Sequence, residues 1–253
     1  MKILISPAKK LNINNKGNCL LKSTRANFLD KSQNIINTLK SFSSEEISNL
    51  MNISKELSQL NYDRNQSWSM SSTDKNANQA ILYFKGAVYE AMEINKFNGD
   101  DFNFANNNLR ILSGLYGILK PSDIIMPYRL EMGTKIKIDE HINLYSYWKE
   151  SITKHFINET RNDNSIVNLA SNEYYKVIDN KKINIPIITP VFKDTKNGKS
   201  KVISFYAKKA RGSMCNYIIK NKITNYNDLR NFKGLGYSFN QLESNNNLFT
   251  FTR

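Results

Sequence analysis

Five short apolar runs constrain this chain more than any other feature: Lys2 to Ser6, Ser165 to Leu169, Ile185 to Phe192, Lys201 to Ala207 and Leu248 to Thr252. Each has the length of a strand and is bounded by turn formers or charges. Between them the pattern changes to helical spacing. Thr24 to Leu60 reads as helix interrupted near Ser41 to Ser44, where Ser-Ser-Glu-Glu supplies a fresh helix start. Asn78 to Ile94 places Ile81, Phe84, Val88, Ala91 and Met92 on one face, as a core stripe would. Asn143 to Thr160 does the same with Leu144, Trp148, Ile152 and Phe156, and His155 shares that face as a packed, structural histidine. Shorter helices are expected at Asn172 to Ile178 and Ser213 to Asn221. This alternation predicts an α/β (mixed α+β) architecture, a mixed buried sheet flanked by helices, with the first strand joining the later ones. No low-complexity linker or internal repeat divides the chain, so residues 1–253 are read as a single large domain.

Charge narrows the range of partners. The chain carries a formal net charge of +14. Between Lys193 and Lys233 it has eleven basic residues against only Asp194 and Asp228. At the centre of that segment Lys208, Lys209 and Arg211 follow an apolar run and precede Gly212. A one-signed field anchored on ordered structure suits a polyanion, of which nucleic acid is the commonest. The alternative is a solvated basic surface.

Ile3-Leu4-Ile5 is too short for the core of a secretion signal, and no stretch approaches the ~20 apolar residues of a membrane span. A cytoplasmic protein with no membrane partner is expected. Cys19 and Cys215 stand far apart with no Cys or His beside them, which predicts free thiols and neither a disulfide framework nor a zinc site. No cofactor or metal is called for.

Three segments combine special residues densely enough to mark a site. Ser6-Pro7-Ala8-Lys9-Lys10 follows the first strand, where α/β sheets present ligands. Its Ser-x-x-Lys spacing also matches the acylation motif of penicillin-binding proteins, but Pro7 opposes the helix register and no Lys-Thr-Gly follows. Leu112 to Pro121 holds Gly114, Gly117 and Lys120 in an apolar run that reads as helical. Two glycines there permit a sharp turn whose N–H groups hold a phosphate, as in a helix-hairpin-helix, or else they permit close helix packing. Pro127 to Gly133 places Arg129 and Glu131 on one face of an extended stretch, where they can pair. Asn168, Ser171 and Glu173 follow a strand end, with Ser171 as a helix N-cap.

With these residues in view, the chain resembles the YaaA family of bacterial peroxide-stress proteins along its length. The resemblance rests on Ile5-Ser6-Pro7-Ala8-Lys9, Phe84-Lys85-Gly86, Leu112 to Gly117, Pro127 to Gly133, Asn168 to Ser171, and Ile203 to Gly212. It implies oxidative-stress defence, a limit on damage from intracellular iron, a positively charged cleft with a helix-hairpin-helix, and a family-specific mixed α/β fold. Two positions depart from the family pattern: Ala87 and Asn12 stand where Asp is usual. Loss of both carboxylates weakens any metal-dependent nuclease reading, since two-metal chemistry needs clustered acids. Phe232 to Tyr237 also has a Gly-hydrophobic-Gly form, but the family does not usually carry it, so the hairpin is placed at Ser113 to Gly117.

The resulting expectation is a non-catalytic protein that contacts double-stranded or structured DNA through its phosphates. Lys9, Lys10, Arg129, Lys208, Lys209 and Arg211 would line the cleft, and the backbone around Gly114 and Gly117, beside Lys120, would hold a phosphate. The alternative is an enzyme acting on a nucleotide or nucleic acid, with Ser6, Lys9, Glu131 and Glu173 as its polar groups.

Overall fold

The computed structural model describes residues 1–13, 22–71, 77–196 and 198–253. Its organising element is the first strand, β1 (Lys2–Ile5), whose Ile3, Leu4 and Ile5 are fully buried. An apolar run with no polar face is stable only where strands and helices cover it on all sides. β1 pairs in parallel with β2 (Leu109–Ser113) on one side and with β4 (Ile166–Asn168) on the other. β4 continues in parallel to β5 (Ile187–Lys196), and β5 to β8 (Leu248–Thr252). Antiparallel strands close both edges: β3 (Gly117–Leu119) on β2, and β7 (Ser238–Phe239) on β8. A short β6 (Lys199–Lys201) folds back on β5, and the full order is β7-β8-β5-β4-β1-β2-β3. This is the mixed, buried sheet that the apolar runs predict.

Helices α1 (Leu29–Lys40), α2 (Ser44–Met51) and α3 (Lys55–Ser67) occupy the long connection from β1 to β2. The expected helix start at Ser43-Ser44-Glu45-Glu46 is a capping box: Ser43 Oγ accepts the Glu46 N–H at 3.2 Å, and Glu46 accepts the Ser43 N–H at 2.7 Å. Thr24–Arg25 is not helical; it pairs with Asp123–Ile124 as a short strand. Helix α6 (Leu144–Glu159) falls where its periodicity predicts, capped by Asn143. His155 packs edge-on against Phe28 at 5.4 Å, and its burial lowers its pKa. Cys215 is free and buried, and burial raises its thiol pKa; Cys19 lies outside the described residues. Among the described residues, no helix is long and apolar enough to cross a membrane.

Three segments differ from the sequence-based expectation. The helix expected over Asn78 to Ile94 is broken: Phe84–Lys85 pairs antiparallel with Lys10–Leu11, which draws the backbone out of helix before α4 (Ala87–Met92) begins. Its apolar stripe is still core, since Ile81, Phe84 and Met92 are buried. The strand expected over Lys201 to Ala207 is mostly helix, because α8 begins at Ser204 and runs to Lys220. Its buried residues Ala207, Ala210, Met214, Cys215, Ile218 and Ile219 follow the helical period, so tertiary burial overrides the local β preference of Val202, Phe205 and Tyr206, which are exposed. Gly212 allows α8 to lie directly on α4; a methyl there would collide with the Val88 carbonyl. The apolar helical run expected over Leu112 to Pro121 is instead the β2–β3 hairpin.

Asp101, in α5 (Gly99–Asn108), ties that helix to the end of α8. Burial pushes its carboxyl pKa up, but hydrogen bonds from Lys220, Lys222 and the Asn98 N–H outweigh this and bring it down to about 2. A folded value below the unfolded one means the stabilisation is present above about pH 4 and is lost as pH falls toward 2. Asp101→Asn is expected to cost roughly 1–2 kcal/mol at pH 7 after allowing for the half-exposed lysines. In urea melts across pH, the deficit relative to wild type should shrink between about pH 4 and pH 2; a deficit constant over that range contradicts the assignment.

Candidate functional site

The sheet order creates a crevice where its connections diverge. β1 and β4 lie side by side in parallel, but β1 leads on to β2 on its far side and β4 leads to β5 in the opposite direction. At such a switch point the carboxyl ends of the two strands are left uncovered, and open α/β sheets bind ligands there. Ser6 follows β1, and Ser171 follows β4. The two hydroxyls meet: Ser6 Oγ accepts the Ser171 N–H at 2.8 Å and donates to Ser171 Oγ at 3.2 Å. Tyr89, from α4, donates to the Ser6 carbonyl at 3.0 Å and braces the same turn.

Over this seam opens a cavity of about 360 Å³. Lys9 and Lys10 reach it from the loop after β1, and Lys85 from the strand before α4. Lys208 and Arg211 reach it from α8, three residues apart and so on one face of the helix. Glu131 and Glu173 also line it, giving five cations against two carboxylates. Its apolar surface comes from Ala8, Ala87, Val88, Leu169 and Tyr174.

Both carboxylates are already engaged. The Pro127-to-Gly133 segment is extended, with Tyr128, Leu130 and Met132 buried and Arg129 and Glu131 on the opposite face, as the period-two reading expects. Glu131 accepts Lys9 Nζ at 2.7 Å and Arg129 Nη2 at 3.4 Å. Arg129 itself lies in an adjoining recess with Lys9 and Tyr174, and its buried Nε has no partner among the described residues. Glu173, at the start of α7 (Asn172–Tyr175), accepts the Gly133 N–H at 3.1 Å.

The cations are less well matched. Lys10 and Lys85 are directly opposite one another in the short antiparallel pair, an arrangement that is repulsive without an anion nearby. Arg211 is half-buried and, among the described residues, makes no ion pair or hydrogen bond; burial lowers its pKa. A half-buried guanidinium without a counter-charge is partly desolvated at some cost, and such groups concentrate where a ligand supplies the missing partner.

The structure thus gathers Ser6, Lys9, Lys10, Glu131, Ser171, Glu173, Lys208 and Arg211 around one cavity, with Arg129 immediately behind. Lys85 was not singled out as a site residue in the sequence; its only signal is the Phe84-Lys85-Gly86 stretch. Lys209 turns away, its Nζ lying 4.8 Å from the Phe205 ring centroid. Asn168 is buried and structural: its Oδ1 accepts the Ala170 N–H at 3.1 Å, which shapes the turn after β4. Ser171 stands at the helix N-cap position, but its side chain makes no capping bond and faces Ser6 instead. The Ser6–Lys9 acylation geometry is absent, because Lys9 is held by Glu131 and Ser6 by Ser171. Among the described residues, no group of three His, Cys, Asp or Glu side chains gathers as a metal site would require.

The helix-hairpin-helix is not formed at Ser113 to Gly117. Gly114 and Gly117 are buried in the β2–β3 turn, and Trp148 Nε1 donates to the Gly114 carbonyl at 2.9 Å. A side chain on Gly114 would strike the Leu130 carbonyl, so no phosphate reaches this backbone. Lys120 follows β3, which runs antiparallel to β2, and this carries it to the end of the sheet away from the cavity. The other glycine segment, Phe232 to Tyr237, lies between a 3-10 turn (Tyr226–Asn231) and the β7 strand, and does not join two α-helices.

Known proteins match this chain along its length. A family model described as peroxide stress protein YaaA matches residues 1–243. A UPF0246 protein of Teredinibacter turnerae is 46% identical over 255 residues, covering 100% of this chain and 99% of the relative. One from Saccharophagus degradans is 48% identical over 255 residues with the same coverage, and one from Flavobacterium psychrophilum is 47% identical over 258 residues, covering both chains fully.

The glycine turn yields a direct expectation. Gly117 has φ of +73°, and an added Cβ would lie 2.9 Å from the Trp148 ring. Gly117→Ala should therefore destabilise the fold by roughly 1–3 kcal/mol through overpacking and backbone strain. Thermal melts together with DNA titration of the folded fraction check this. A variant that keeps its melting temperature but loses DNA binding would restore this turn to the binding surface.

Proposed function

This chain belongs to the family of peroxide stress protein YaaA, and on that premise we propose that it is a DNA-binding protein of the peroxide response. The observation that carries the reading is the convergence of Lys9, Lys10, Lys85, Lys208 and Arg211 at the carboxyl edge of the sheet. Lys9, Lys10, Lys85 and Lys208 are exposed at the rim, where Lys10, Lys85 and Lys208 can track a phosphate backbone and Lys9 stays paired with Glu131, while Arg211 sits deeper as a fixed contact. Phosphate contacts of this kind position a protein on DNA without reading its sequence. Local protection of DNA by occupancy would fit a role in limiting peroxide and iron-mediated damage.

A second reading, an enzyme acting on a nucleotide or nucleic acid, is favoured by one observation: the Lys9–Glu131 pair and the Ser6–Ser171 hydroxyls share one recessed cavity. It lacks an activated nucleophile. A serine nucleophile needs a base within hydrogen-bond reach, and among the described residues Ser6 Oγ hydrogen-bonds only to Ser171.

Binding to unrelated duplexes should be similar, with log affinity falling linearly against log salt at about −0.9 per phosphate contacted. Replacing Lys208 and Arg211 together by Ala should weaken binding at least about tenfold at moderate salt and flatten that slope by one to two contacts. Lys209→Ala, which leaves the cavity intact, should change affinity less than about threefold. Fluorescence anisotropy at three salt concentrations measures all of these. A flat salt response sinks the DNA reading, and turnover of a nucleotide or DNA substrate that is lost in Glu131→Gln supports the enzyme.

A further inference from the structure

The cavity is larger than a phosphate contact needs. At about 360 Å³ it lies in the ~300–1,000 Å³ range of small-molecule sites, whereas a duplex backbone crossing the rim would place only phosphate oxygens there. Its charge and its apolar surface are also distributed in a particular way. Arg211, Lys85 and Lys10 supply positive charge that no described carboxylate neutralises. Ala87, Val88, Leu169 and Tyr174 supply a wall with no charge at all. The Ser171 hydroxyl accepts from Ser6, and its own proton remains available to a ligand oxygen.

We propose that this cavity binds a single nucleotide through a terminal phosphate monoester, with the phosphate between Arg211 and the Lys10–Lys85 pair and the base against the Ala87–Val88–Tyr174 wall. A terminal monoester carries nearly two negative charges at neutral pH and a diester one, so three converging cations discriminate in favour of the former. Arg211 presents a planar fork suited to two phosphate oxygens, and the two lysines add charge without demanding geometry. The uncharged wall accepts the flat face of any base, which makes the site tolerant of sequence. The same chemistry is presented by a free nucleoside monophosphate and by a 5′-phosphorylated DNA end. The inference rests on the nucleic-acid reading for its class of ligand and adds the part of the nucleic acid that enters the cavity.

Calorimetric titration of the full chain with thymidine 5′-monophosphate, thymidine and inorganic phosphate tests the site. The monophosphate should bind at least about tenfold tighter than either fragment, because both the cations and the apolar wall contribute. Arg211→Ala should reduce that affinity about tenfold or more. Lys85→Gln, an exposed change that spares the core, should reduce it as well, so a misfolded Arg211 variant does not decide the matter. Equal binding of thymidine and its monophosphate, or no binding of the monophosphate, overturns the inference.

Blunt duplexes with 5′-phosphate or 5′-hydroxyl ends identify the source. A preference for phosphorylated ends assigns the site to DNA termini, and monophosphate binding without that preference assigns it to free nucleotide. Covalently closed circular duplex has no ends and separates this inference from the broader reading. If circular DNA binds but the monophosphate does not, the cavity proposal fails while DNA binding stands. If the monophosphate binds but circular DNA does not, binding along the duplex backbone fails while the cavity proposal stands.

Discussion

Everything at the candidate site depends on β1 lying in parallel between β2 and β4. That pairing buries Ile3, Leu4 and Ile5 completely and brings the end of the first strand beside the end of a strand more than 150 residues later in the chain. The Leu169 N–H closes the pair by donating to the Leu4 carbonyl at 2.8 Å. Ser6 and Ser171 become neighbours because of it, and the crevice exists because the connections from β1 and β4 leave in opposite directions. The remaining parts are hung on this seam. α4 and α8 pack directly on one another at Gly212 and deliver Val88, Lys208 and Arg211 to the cavity. The extended Pro127-to-Gly133 segment delivers Arg129 and Glu131.

Electrostatics make this crevice the candidate site on a basic surface. Elsewhere several cations are paired: Lys220 and Lys222 hold Asp101, Lys193 holds Glu243, Arg253 holds Asp194, and Arg110 holds Glu159. Several of the charges that make Lys193 to Lys233 so basic in the sequence are therefore consumed within the fold. In the cavity Glu131 is paired with Lys9 and Arg129, Glu173 accepts the Gly133 N–H, and a surplus of cations remains, with Lys10 set against Lys85 and Arg211 unpartnered among the described residues. Structure of this kind is held at some cost by the surrounding packing, and that cost is offset when an anion binds.

Much of this was legible in the sequence, for identifiable reasons. Period-two alternation at Pro127 to Gly133, the apolar Ile3-Leu4-Ile5 run of β1, and the Ser43–Glu46 capping box are local signals, and each has its expected form. Ser6, Lys9, Glu131, Ser171, Glu173, Lys208 and Arg211 stand out in the sequence because they follow strand ends or sit in unusual local combinations, and the fold brings them to one cavity. The errors share a cause: a non-local contact overrode the local pattern. Leu112 to Leu119 is mostly apolar with no helical or alternating period, so the pattern does not separate helix from buried strand, and the β2–β3 pairing decided it. Phe205 and Tyr206 favour a strand locally, yet burial of Ala207, Ala210 and Met214 against α4 made the segment a helix. That change of element also divided the basic triplet, placing Lys208 and Arg211 at the cavity and Lys209 against Phe205. Lys85 was missed because its importance comes from standing opposite Lys10, a pairing that no spacing rule reveals.

The central claim is that the unsatisfied cations around the β1–β4 seam are the phosphate-binding surface. Lysine-selective acetylation read by mass spectrometry, with and without saturating duplex DNA, tests it most directly because it reports every lysine at once. The account predicts that Lys9, Lys10, Lys85 and Lys208 are protected together, while the exposed Lys55, Lys149 and Lys181, which lie away from the cavity, react as before. Protection centred on lysines outside the cavity, with the four pocket lysines unchanged, would contradict it.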